Sequence, residues 1–74
     1  MSAFKVEQSG RYTATSRLVD TWPAAVHAAT EFIYAATADG TERSALLRAV
    51  EDAAGTGEPV ALPNGKRLEI IYND

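Results

Sequence analysis

The chain has no cysteine, one histidine, three prolines and no apolar run near the roughly 18 residues that a membrane crossing needs. Without thiols there is neither a disulfide framework nor a thiolate zinc site, and the composition suits a reducing compartment. The opening stretch MSAFKVEQSG also lacks the apolar centre of a signal peptide. A soluble, cytoplasmic chain with no membrane role is therefore expected. Its 74 residues form a single domain over 1–74 with room for one core.

Signatures of chemistry are equally sparse. His27 and Glu31 stand one helical turn apart, yet two ligands do not make a metal site, and no second histidine or cysteine completes the set. Ser16 or Ser44 with His27 and Asp20 supplies the residue types of a nucleophilic triad, but nothing in their spacing brings them together. Gly55-Thr56-Gly57 lacks the third glycine and the strand-to-helix setting of a dinucleotide loop, and no lysine follows it as in a phosphate loop. The adjacent carboxylates Glu51 and Asp52 point about 100° apart on a helix, which does not suit joint acid–base work. A non-enzymatic protein without a cofactor or a metal is expected.

What the chain does contain is a long amphipathic segment, Trp22 to Ala38. At 100° per residue Trp22, Val26, Ala29, Ile33 and Ala36 form one stripe, widened by Ala25 and Phe32. Pro23 suits the first helical position, so the helix is expected to start there, run to about Ala38 and end at Asp39-Gly40. Ala24, Ala28 and Ala35 extend the apolar arc, which calls for two neighbours, a sheet and a second helix. A partner on that alanine face is the competing expectation. Thr30, Tyr34, His27, Glu31 and Thr37 fill the polar arc, where Tyr34 is the amphipathic residue suited to an interface.

Around this helix the chain reads as strands and a second helix. Ala3–Gln8 and Arg11–Val19 form a hairpin about a Ser9-Gly10 turn, with Phe4, Val6, Tyr12, Ala14 and Leu18 inward and Lys5, Glu7, Arg11 and Arg17 outward. A helix over Glu42–Ala54 follows, with Thr41 as N-cap and Gly55 as terminator. Val60–Leu62 and Arg67–Tyr72 flank Pro63-Asn64-Gly65-Lys66, a strong hairpin signal. The order ββααββ predicts an α+β two-layer domain, an antiparallel sheet with two helices on one face. Fourteen alanines bury little area, so Phe4, Tyr12, Leu18, Trp22, Phe32, Ile33, Leu46, Val50, Leu62, Leu68 and Ile70 are expected to supply the core.

Charge is unevenly distributed within a net −3. Residues 1–19 carry Lys5, Arg11 and Arg17 against Glu7, residues 20–60 carry seven carboxylates against Arg43 and Arg48, and residues 61–74 balance. The helical layer is thus acidic, and its field favours a basic partner. Glu31, Tyr34, Asp39, Glu42, Glu51, Asp52 and Glu58 are the candidate partner-binding residues. Direct nucleic-acid binding through Lys5, Arg11 and Arg17, joined by Lys66 and Arg67, is the weaker alternative, since five interspersed cations fall short of a basic stripe. A third is an accessory subunit, monomeric or weakly self-associating through Ala24, Ala28 and Ala35.

A small, cysteine-free, acidic α+β chain with Glu31, Asp39, Glu42, Glu51, Asp52 and Glu58 on and beside two alanine-rich helices resembles the small anti-CRISPR proteins of phages and mobile elements. The resemblance implies a stoichiometric inhibitor. Its carboxylates would imitate nucleic-acid phosphates and occupy a basic channel of a CRISPR surveillance complex.

Overall fold

The computed structural model describes residues 2–73. Six elements follow in the expected order: β1 (Phe4–Ser9), β2 (Ala14–Val19), α1 (Trp22–Ala36), α2 (Gly40–Ala53), β3 (Val60–Ala61) and β4 (Arg67–Tyr72). The strands make one antiparallel sheet in the order β2-β1-β4-β3, an α+β architecture with both helices on one face. The first and last long strands therefore lie side by side at its centre.

Alternation along the central pair decides which face is covered. Val6, Leu68 and Ile70 are fully buried, Gln8 joins them, and Phe4 is half-buried, so the even positions of β1 and β4 meet the helices. The register pairs them across the sheet, Val6 with Ile70 and Gln8 with Leu68. From the helices come Ala25, Ala28, Ala29, Phe32, Ile33 and Val50, and Leu62 closes the core beyond β3. The three α1 alanines bring the helix backbone close to its neighbours, which is how so alanine-rich a chain reaches a dense interior.

The first hairpin differs from the sequence reading in turn and in facing. Its two-residue turn is Arg11-Tyr12, closed by the Gly10 amide donating to the Thr13 carbonyl at 2.7 Å, and not Ser9-Gly10. The later turn lengthens the ladder until Val19 reaches Phe4. A two-residue turn also pairs an even position with an odd one, as in Val6 with Arg17 and Lys5 with Leu18. Tyr12 and Leu18 are thereby kept off the face of Phe4 and Val6, and they stand 86% and 60% exposed instead of in the core. Arg17, expected to face away from the core, is on the helix-covered side.

Two helix boundaries also move. α1 ends at Ala36 because Thr37 turns extended, two residues before the expected end at Ala38 and four before Gly40. Gly40 opens α2, and Asp39 is the N-cap in place of Thr41, its carboxylate accepting from the Glu42 amide at 2.9 Å. At the far end Gly55 takes φ +77° just past α2, as expected, and its amide donates to the Ile70 carbonyl at 3.0 Å. The second hairpin turns through Pro63-Asn64-Gly65 with Gly65 at φ +83°.

Gly55 and Gly57 give a paired test of this chain path. Both hold positive φ, which costs a residue with a Cβ about 1–2 kcal/mol. Only at Gly55 would that Cβ meet Tyr72, at 2.8 Å from Cε2, and Tyr72 packs edge-on against Phe4. In urea denaturation Gly55→Ala is expected to cost more than Gly57→Ala, by about 1 kcal/mol from the disturbed aromatic contact. Equal losses would mean that Tyr72 yields freely.

Candidate functional site

The seven candidate partner-binding residues fall into three places. Glu31 stands on α1 beside the edge strand β2. Its carboxylate accepts from Arg17 Nη1 at 2.7 Å and lies 3.3 Å from His27 Nε2. Arg17 also sits 5.4 Å from the centre of the Phe32 ring, so it ties β2 to α1 through charge and an aromatic face together. The hydrogen bond from Arg17 holds the Glu31 carboxyl below its ordinary range, against the opposing effect of desolvation and with further help from the neighbouring Arg17 and His27. This carboxylate already has a cation in Arg17.

The second place is the corner between the helices. Glu42 accepts from the Thr37 hydroxyl, Asp39 caps α2, and the Thr37 hydroxyl also accepts from the Asp39 amide at 3.2 Å. Arg43 closes the corner. Its Nε donates to the Thr37 carbonyl at 2.7 Å, Nη2 donates to the Tyr34 carbonyl at 3.3 Å, and the guanidinium lies 3.8 Å from the centre of the Tyr34 ring. A cation thus meets the carbonyl end of α1, and two carboxylates meet the amide end of α2, both favourable against the helix dipoles. Tyr34 stays 54% exposed on the rim of a cleft of about 140 Å³ that Ile33, Gly40 and Leu47 also line.

The third place is the C-terminal end of α2 and the loop after it. Glu51 is half-buried there, and Asp52 and Glu58 are exposed. None has a cation within 4.0 Å among the described residues, and the last turn of α2 holds no basic side chain. Glu42 and Glu51 are nine residues apart, which sets them on opposite sides of α2. The acidic residues are thus one unpaired group and two internally compensated ones, a division that pair distances decide and that residue counting does not reach.

Other residues singled out in the sequence are now placed. Ala28 is in the core while Ala35 is exposed, so Ala24, Ala28 and Ala35 do not form one uncovered stripe. Lys5 pairs with Glu7 at 3.4 Å. His27 and Glu31 meet, but no group of three metal-capable side chains occurs among the described residues. Among the described residues no helix is long and apolar enough to cross a membrane.

Two measurements check these assignments. With the folded pKa of Glu31 depressed, the Arg17 contact contributes stability above the ordinary carboxylate pKa and loses it as pH falls through the folded value. Carboxyl NMR titration should show the Glu31 pKa rising in Arg17→Gln; an unmoved value would remove Arg17 as its cause. Arg43→Ala should cost about 1.5 kcal/mol in urea denaturation, as for loss of charged donors at a partly exposed site. Arg43→Lys should restore only part, because an ammonium cannot span both carbonyls and the ring; full recovery would reduce the corner to simple charge.

Comparison with protein-family models, curated proteins and solved structures gives no match, so function has to be read from the residues of this chain.

Proposed function

We propose that the chain is a non-enzymatic protein-binding inhibitor of the anti-CRISPR kind, docking an acidic helical surface onto the basic nucleic-acid-binding site of a CRISPR surveillance complex. Its carboxylates stand where nucleic-acid phosphates would. The docking end is the C-terminal end of α2 with the loop behind it, and Glu51, Asp52 and Glu58 are its charged contacts.

One observation supports this choice of surface. Glu51 and Asp52 lie at the carbonyl end of a helix, where negative charge opposes the dipole at about 0.3–1 kcal/mol each, and neither has a cation within 4.0 Å among the described residues, Arg48 one turn earlier included. Elsewhere on the helical layer Glu31 is paired with Arg17, and Asp39 and Glu42 are hydrogen-bonded at the amide end of α2, where negative charge is favourable. An arrangement that weakens the fold and leaves its charge free is what an electrostatic docking surface needs, because a basic partner restores the missing counter-charge. Arg43, which interrupts the acidic layer in the sequence, is turned onto the carbonyl end of α1. That leaves Arg48 as the one basic residue of α2 without such an engagement among the described residues.

Charge reversal separates this reading from mere solubility. The double substitution Asp52→Lys and Glu58→Lys is expected to leave the fold as stable or slightly more so, since a cation suits that helix end. It should weaken capture of a basic nucleic-acid-binding complex from bacterial lysate at least about tenfold, and capture by the unaltered chain should resist nuclease and fall with salt. In cells with active CRISPR immunity, the unaltered chain should protect an incoming phage and the variant should not. Equal capture and protection by both would remove this docking end. Capture lost on nuclease treatment would remove the protein partner.

A further inference from the structure

The two hairpin turns meet at one end of the sheet, and they bring together cations that the chain keeps 55 residues apart. Arg11 is at the tip of the first turn, and Lys66 and Arg67 leave the second. Ser9 pairs across the sheet with Arg67. A Cβ at Gly10 would sit 3.5 Å from Lys66 Cγ, which measures how closely the lysine stem lies on the opposite turn. Ser9, Gly10, Arg11, Gly65 and Arg67 line a cleft of about 310 Å³ between the turns.

Three features give this cleft a ligand class. First, Arg11, Lys66 and Arg67 have no carboxylate oxygen within 4.0 Å among the described residues, whereas Lys5 is paired with Glu7 and Arg17 with Glu31. Unpaired cations at one end of the sheet, Arg11 and Arg67 lining the cleft and Lys66 beside it, attract an anion placed there. Second, the cleft has a glycine in each wall, which leaves backbone approachable by a bulky oxyanion. Third, Tyr12 projects beside it with 86% of its surface exposed, its ring 5.5 Å from the Arg11 guanidinium. An exposed aromatic ring next to unpaired arginines is the combination that holds a base by stacking and its phosphates by charge.

We propose that the turn end binds single-stranded nucleic acid, with Arg11, Lys66 and Arg67 on successive phosphates and one base stacked on Tyr12. The contact is short and independent of sequence, since neither the ring nor the three cations read base edges. Lys5 and Arg17 take no part. The site lies apart from the acidic end of α2 and does not depend on what that end binds.

Fluorescence anisotropy with a labelled oligothymidylate tests it. Binding is expected at low salt, with log K falling against log salt at a slope of about −2, the value for three phosphates of a single strand. Arg11→Ala and Arg67→Ala should each reduce that slope by about 0.7, and Arg11→Lys should retain it. Tyr12→Ala should weaken binding roughly fivefold or more at an unchanged slope, and Tyr12→Phe should bind as the unaltered chain does. Lys5→Ala should bind normally, and circular dichroism should confirm that each variant is folded. The proposal fails if no anisotropy change occurs at low salt, or if Lys5→Ala loses as much as Arg67→Ala. Inorganic tripolyphosphate competing equally well in Tyr12→Ala and the unaltered chain, with both binding oligothymidylate alike, would leave an anion site without base stacking and overturn the assignment to nucleic acid.

Discussion

The antiparallel pairing of the first strand with the last is the contact on which the rest of the structure depends. β1 and β4 are separated by nearly the whole chain, and closing so long a loop costs entropy that local hydrogen bonds do not repay alone. The repayment comes from burying Val6, Leu68 and Ile70 on one face of the pair, where α1 and α2 cover them. With that pair in place, β2 and β3 have only to join as edges, and the helices between them are held over a surface already built. Single substitutions at these three positions therefore act on every layer at once. Changes in the exposed β2 act on an edge.

The two central strands were legible in the sequence, but their pairing was not. Phe4 and Val6 alternate with Lys5 and Glu7, and Leu68 and Ile70 flank Glu69, a period of two that names the strands while leaving the strand order open. β2 resisted the same reading for a physical reason. Its even positions Ala14, Ser16 and Leu18 and its odd positions Thr15, Arg17 and Val19 differ little in polarity, so burial gives almost no preference for either facing. The facing passed to the two-residue turn, which pairs even with odd positions at Ser9-Gly10 and at Arg11-Tyr12 alike, and the later turn adds two further rungs. A charged residue on the helix-covered side of an edge strand breaks the usual alternation. Arg17 is tolerated there because its guanidinium reaches Glu31 and the half-exposed rim of the layer.

The corner between the helices shows the other limit of reading by pattern. Asp39-Gly40 carries two signals, a helix stop and a helix start, and each is reasonable in isolation. The cap was settled by what the neighbouring side chains do: Thr37 goes extended, Asp39 takes the Glu42 amide, and Arg43 reaches back to the carbonyls of α1. Two of the acidic residues that sequence counting assigned to a partner are thereby engaged within the chain. The cations were visible in the sequence as one set of five, but not their division: the sheet order makes Arg11 and Arg67 neighbours at the turn end, while Lys5 and Arg17 are paired with carboxylates elsewhere.

Both proposals follow from unpaired charge, and their geometry relates them. Gly55, at the acidic end, is bonded to Ile70, three residues along β4 from Arg67, a rise of about 10 Å. The Debye length at physiological salt is roughly 8 Å, so the acidic and basic ends are largely screened from one another in the cell and partly cancel only in dilute buffer. A bare nucleic acid is attracted by one end and repelled by the other, and so is a bare basic protein. A nucleoprotein offers both a basic channel and exposed phosphates within a span of this size. Its two attractive contacts would then act as one binding event, with the second made at high effective concentration, which is how a domain of this size with a net charge of only −3 gains affinity from electrostatics.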